Sequence, residues 1–134
     1  MSETLGLTDL QIEIMRVLWT RGEATVLEVH RELHPTRRLA QATVATLLAR
    51  LEKKGVLEHR SVGRQFVFRA RVSEAEVRRA ALVRVADRLF GGDIPALVRQ
   101  LLGERPVGPG ELDEIRALLA AREREMGGTA DGAP

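Results

Sequence analysis

The sequence predicts a mainly α-helical chain with one small β-hairpin. Three observations predict it. A hydroxyl residue followed three positions later by Gln or Glu recurs at Thr8/Gln11, Thr25/Glu28 and Ser73/Glu76, the reciprocal capping box that opens helices. Between residues 56 and 71 the apolar period changes from helical to alternating. After Ser73 the apolar residues exceed what a single buried helix face requires.

Taken in order, a first helix runs from about Asp9 to Arg21, with Leu7 placed to staple onto Ile12 and with Leu10, Met15, Leu18 and Trp19 as its apolar side; Gly22 stops it. A shorter second helix follows Thr25, carries Val26, Val29 and Leu33 on one side, and closes at Pro35. "AQATVATLLARLEKKG", residues 40–55, is the third. Its Val44, Leu47, Leu48 and Leu51 share an arc of about 100°, and Gly55 suits a left-handed C-terminal cap. In "VLEHRSVGRQFVFRAR", Phe66 and Phe68 alternate with Gln65, Val67 and Arg69 beyond Gly63, as in a half-buried hairpin. Three helices followed by a hairpin is the order of a winged helix-turn-helix.

A fourth helix extends from the Ser73 box to about Phe90, before Gly91 and Gly92. Its Val77, Ala81, Leu82, Val85, Ala86, Leu89 and Phe90 cover more than one side, which implies a second surface, another subunit. Asp93 caps a fifth helix with Leu97, Val98, Leu101 and Leu102; "GERPVGPG" is a loop. A last helix from about Glu111 to Glu125 carries Leu112, Ile115, Leu118 and Leu119. The expected organisation is therefore an N-terminal winged helix-turn-helix domain at residues 1–72, then a C-terminal helical dimerisation region at residues 73–126. In the latter, Val77, Leu82, Val85, Leu89, Phe90, Leu97, Leu101, Ile115 and Leu119 would meet a partner. Residues 127–134, "GGTADGAP", are expected to be a disordered tail.

Composition narrows the possible functions. The chain contains no cysteine, which removes disulfides, thiolate metal sites and cysteine nucleophiles and fits a cytoplasmic location. No apolar run approaches the roughly 20 residues of a membrane helix, so no membrane insertion is expected. The opening residues also lack the basic-then-apolar order of a signal peptide. Net charge is +2, yet residues 36–71 hold nine Lys and Arg against Glu52 and Glu58. Such a segment suits a polyanion, or else is a solvated face. His30 and His34 share a helical face, but "HRELH" has no Glu directly after the first His and no third ligand accompanies it, so no metal is expected. Carboxylates fall in caps and helical ladders, and no glycine-rich phosphate loop or nucleophile elbow occurs. Neither an enzyme nor a cofactor is expected.

The outward side of the third helix is short, with Ala42, Ala45, Ala49 and Thr46 between Arg50 and Lys53. Small side chains let a helix axis approach base edges in a DNA major groove about 12 Å wide, although alanine's helix propensity alone explains its presence. In that groove the alanines would offer methyl contacts, while Gln41, Thr43 and Thr46 would hydrogen-bond to bases or phosphates. Arg50, Lys53 and Lys54 suit phosphates; Arg60, Arg64 and Arg69 are wing candidates, with Arg64 beside Gly63 at the tip.

"LTDLQIEIMRVLWTRGEATVLEVHREL", "TVATLLARLEKKGVLEHRSVGRQFVFRARVSEAEV" and "LFGGDIPALV" together resemble the BlaI/MecI family of penicillinase repressors, over about residues 5–122. The resemblance implies a DNA-binding transcriptional repressor that binds double-stranded, two-fold symmetric operator DNA as a homodimer and blocks resistance genes. By position it implies base or phosphate contacts from Thr43 and Thr46, a phosphate contact from Arg50 and a backbone contact from the wing around Arg64. Well-known members are inactivated when a membrane sensor peptidase system cleaves an Asn-Phe bond; here Gln100-Leu101 occupies that candidate cleavage position, a departure from the pattern. Ala42 and Ala45 stand where some members have a lysine and an arginine, which shifts base reading toward Gln41, Thr43 and Thr46. The cysteine cluster of the family's copper-responsive branch is absent. Two rival readings accompany this one: a winged-helix repressor with a small-molecule pocket between the fourth and fifth helices, and a helical protein-interaction module that does not bind DNA.

Overall fold

The computed structural model describes the backbone of residues 6–132 and the side chains of residues 6–127. The order is α1 (Asp9–Arg21), β1 (Ala24–Thr25), α2 (Val26–Leu33), α3 (Gln41–Lys54), β2 (Leu57–Val62), β3 (Gln65–Ala70), α4 (Glu74–Phe90), α5 (Ile94–Glu104) and α6 (Pro109–Gly132). All three capping boxes form: Thr8, Thr25 and Ser73 accept from the backbone N–H of Gln11, Glu28 and Glu76, whose side chains return the bond to the cap. Asp93 caps α5 by accepting from the Ala96 N–H. Gly55 closes α3 at φ 93°, a left-handed turn that a Cβ would strain.

Around the Gly63 turn, β2 and β3 pair antiparallel from Leu57↔Ala70 to Val62↔Gln65. The hairpin is joined by a strand that the sequence did not predict: β1 pairs with β3 through Ala24↔Phe68 and Thr25↔Val67, giving the order β1-β3-β2. Two residues are too few to carry a period, so β1 exists only because β3 lies beside it. The core gathers Ile14, Met15 and Leu18 of α1, Val29 and Leu33 of α2, Val44, Leu48 and Leu51 of α3, and Val56, Leu57 and Phe68. Phe66 shares the pleat face of Phe68 but lies nearer the turn, past the reach of this core; it is 50% exposed where Phe68 is 3%.

Three polar contacts brace these elements. Trp19 Nε1 donates to the Val72 carbonyl at 2.9 Å, tying the end of the hairpin to α1. His30 Nε2 donates to the Leu39 carbonyl at 2.9 Å, and Arg37 pairs with Glu13 at 2.7 Å. Both of these fix the turn that delivers α3.

Two compact units divide at Gly91 and Gly92. The first therefore extends one helix past residue 72, because Val77 and Ala86 of α4 are buried. In the second unit α5 has no buried residue. The helix α6 starts at Pro109, two residues before the expected Glu111, since proline suits a first helical position, where no N–H is needed. It continues to Gly132, so residues 127–132 are helical and not the disordered tail read from the sequence. Glycine costs a helix only about 1 kcal/mol and leaves its hydrogen-bond ladder intact. The last two residues of that expected tail lie outside the described residues.

Candidate nucleic-acid interface

Burial of Val44, Leu48 and Leu51 fixes how α3 is turned. Gln41, Ala42, Thr43, Thr46, Ala49, Arg50 and Lys53 are exposed, and Ala45 is half-buried at the margin. Thr43, Thr46, Arg50 and Lys53 occupy an arc of about 80° directed away from the core. Ala40 supplies no side-chain cap and no acid stands in the first turn of α3, which leaves the leading N–H groups to an anionic oxygen. Thr46 Oγ1 donates to the Ala42 carbonyl at 3.1 Å. Its oxygen lone pairs remain for an outside donor such as a base amino group.

The nine cations of residues 36–71 separate into engaged and open. Arg37 is held by Glu13. That hydrogen bond keeps the Glu13 carboxyl below the usual carboxylate range, and Glu13 in turn raises the Arg37 guanidinium. Arg60 pairs with Glu23 at 2.7 Å, and Arg69 and Arg71 both face Glu58. Lys54 Nζ donates to the Gly6 carbonyl at 2.5 Å. Among the described residues Arg38, Arg50, Lys53 and Arg64 have no such partner. Lys54 and Arg60, both expected at phosphates, thus have protein partners to release first. Arg38, not expected among the contacts, is exposed in the α2–α3 turn. Its only sequence signal was membership of the basic segment, because periodicity does not encode where a turn residue points.

Wing and helices converge on one open groove of about 310 Å³. Arg64, Gln65 and Phe66 line it from the hairpin, Thr25, Val26 and Leu27 from the start of α2, and Gln41 from the start of α3. Of the expected recognition residues, Gln41 at the leading end of α3 and Arg64 at the wing tip are thus brought to one groove.

The apolar residues expected at a subunit contact are placed less uniformly. Leu82, Val85, Leu89, Leu101 and Leu119 are exposed, while Phe90, Leu97 and Ile115 are half-buried. Val77 is a correction: it is only 5% exposed within one chain and so offers no surface to a partner. It sits where α4 faces α1, in a groove shared with Ile12 and Trp19. Gln100 and Leu101 are exposed within α5, and Gln100 Nε2 donates to Glu104 Oε1 at 2.8 Å. The His30 and His34 rings stand 5.8 Å apart, and no group of three or more metal-ligating side chains occurs among the described residues. Among those residues no helix is long and apolar enough to cross a membrane.

Comparison with known proteins matches residues 7–121 to the penicillinase repressor family. The penicillinase repressor of Bacillus licheniformis is 28% identical over 113 residues, 84% of this chain and 88% of that protein. The methicillin resistance regulatory protein MecI of Mammaliicoccus sciuri is 21% identical over 118 residues, covering 88% of this chain and 96% of that protein. Among solved structures, the DNA-binding domain of the repressor BlaI in solution is similar at 34% identity and a TM-score of 0.50, over 55% of this chain and 89% of that domain.

Proposed function

The chain belongs to the penicillinase repressor family, and on that premise we propose that it is a DNA-binding transcriptional repressor, not an enzyme, which grips a two-fold symmetric operator as a homodimer. The observation that carries the reading is the stripe of open groups on α3, Thr43, Thr46, Arg50 and Lys53, next to a wing with Arg64 at its tip. Arg38, Arg50, Lys53 and Arg64 take phosphates, which supply affinity without sequence information; Gln41, Thr43 and Thr46 read base edges. Residues 1–72 act on DNA and residues 73–126 join two chains. In the second region Leu82, Val85, Leu89, Leu101 and Leu119, all exposed in one chain, support a subunit contact. The repressor works in the cytoplasm, where operator DNA is accessible. Release by a membrane sensor peptidase system at Gln100–Leu101 would require α5 to open locally, since cleavage acts on the transiently opened backbone.

Four open cations per chain become eight per dimer. The logarithm of affinity should then fall against the logarithm of salt with a slope of about −7. A fluorescence anisotropy titration of the full chain with a duplex from its own upstream region, repeated across salt concentrations, tests this. Two chains per duplex, a steep slope and preference over an unrelated duplex are expected. Absent or salt-independent binding would overturn the reading in favour of a helical interaction module.

A further inference from the structure

One ion pair joins the recognition helix to the wing and has no part in the contacts assigned above. Glu52 lies near the end of α3, between Arg50 and Lys53 in the chain; His59 lies on β2. His59 Nδ1 donates to the Glu52 carboxylate, with its two oxygens at 2.7 and 2.6 Å. The imidazole also stacks on Phe66, centroids 4.0 Å apart and planes 22° from parallel, and meets Phe68 at 5.5 Å. Phe66 is two residues from Arg64. Contacts thus lead from α3 through His59 to Phe66, two residues short of the wing tip.

Burial cannot hold that end of the hairpin, because half of Phe66 is open to solvent. The contact with His59 does so instead. Strand alternation places His59, Phe66 and Phe68 on the pleat face toward α3, and sends Glu58, Arg60 and Arg69 to the other face, where Glu23 lies. Against the imidazole, β3 presents two phenyl rings and α3 presents the Glu52 carboxylate, while Arg50 and Lys53 stand on the exposed stripe. One carboxylate, that of Glu52, therefore faces the His59 ring.

We propose that Glu52 and His59 are positioning residues for DNA binding: their pair clamps the wing to the recognition helix, so that Arg64 and the cations of α3 meet one duplex in a fixed register. The inference rests on the DNA-binding reading. A cation opposite Glu52 holds the carboxylate more strongly than a neutral partner does. Counting charges makes the opposite forecast for Glu52. Removing an acid beside DNA should tighten binding, whereas losing the clamp should weaken it.

The test is the dissociation constant of the full chain for its upstream duplex, for the wild type, Glu52→Gln, His59→Gln, His59→Lys, Arg64→Ala and the double variant Glu52→Gln/Arg64→Ala. Glu52→Gln and His59→Gln should each weaken binding about three- to five-fold, the scale of one partly exposed ion pair. In the Arg64→Ala background Glu52→Gln should add little, because both act through the wing. His59→Lys keeps a cation opposite Glu52 and should retain affinity. Circular dichroism melting checks that each variant is folded; should Glu52→Gln fail to fold, His59→Lys against His59→Gln decides alone. Salt-dependent wild-type binding combined with unchanged or tighter binding by Glu52→Gln, additive losses with Arg64→Ala, or a loss in His59→Lys equal to that in His59→Gln overturns the inference and leaves the DNA reading standing. No wild-type binding to any duplex overturns that reading and the clamp with it.

Discussion

The winged-helix half and the helical half place their apolar residues in opposite ways. In the first, Ile14, Met15, Leu18, Val29, Val44, Leu48 and Leu51 are all between 0 and 1% exposed. In the second, Leu82, Leu89, Leu101, Leu118 and Leu119 are between 55 and 75% exposed. Among the described residues only Val62 and Phe66 interrupt the pattern from the other side, and both are on the wing. The lesson is that one chain completes the core that delivers α3, while the second half leaves apolar surface uncovered within one chain. The homodimer proposed above would cover that surface with one self-complementary contact.

The largest effect that can break this comparison is expected at Leu48. It is fully buried between α1, α2 and the sheet, so Leu48→Ala should destabilise the fold by about 2 to 5 kcal/mol and remove DNA binding with it. Chemical denaturation would measure the loss; a cost under 1 kcal/mol would mean that the first half has no complete core. Leu89→Asp probes the other half. With 75% of Leu89 already exposed in one chain, the charge should spare the far-ultraviolet spectrum yet shift sedimentation from dimer to monomer. Affinity for a two-half-site duplex should then fall by at least about ten-fold while a half-site duplex is less affected, because linkage of the two sites is lost. An unchanged dimer would show that Leu89 lies outside the contact.

Local features were the most legible. Thr8, Thr25 and Ser73 announced their helices because a capping box is written within four residues. Val44, Leu48 and Leu51 announced the buried side of α3 by period, and with it the outward stripe. What the sequence withheld depends on distant partners. Ile14 is a core residue that the reading of α1 passed over in favour of Leu10 and Trp19, which are only partly buried. The strand β1 is defined by β3, more than 40 residues on. The partner of Arg60, Glu23, lies 37 positions away and left no mark in the basic segment. Charge runs give the number of cations in a region, and only packing decides which of them stay open.

That distinction sharpens the comparison within the DNA-binding half itself. Arg50 is open, so Arg50→Ala should weaken every duplex alike and lessen the salt slope by about two for a dimer that loses a phosphate contact in each subunit. Thr46→Ala should instead alter the ranking of operator variants, since it would remove the base contact proposed for its outward oxygen. Competition titrations with single-base operator changes separate the two. If Thr46→Ala lowers all affinities in proportion, Thr46 touches phosphate and base reading falls to Gln41 and Thr43.

The smallest effect, and the finest division, is expected between neighbouring arginines. Arg37 is bound to Glu13, whereas Arg38 is exposed without such a partner. Arg37→Ala should therefore lower the melting temperature slightly and leave the salt slope unchanged, and Arg38→Ala should do the reverse. The acid dependence checks the assignment from the other end. The hydrogen bond from Arg37, opposed by partial desolvation, holds the Glu13 carboxyl below its ordinary range, so the unfolded chain binds this proton more readily than the folded one. Stability from the pair is then present above the ordinary carboxylate range and is lost as pH falls through the depressed folded value. Glu13→Gln should accordingly lower the melting temperature at pH 7 and make no difference at a pH below both values. A loss equal at the two pH values would mean that the glutamine disturbs packing between α1 and the α2–α3 turn, and that the charge on Glu13 contributes nothing to holding Arg37 away from DNA.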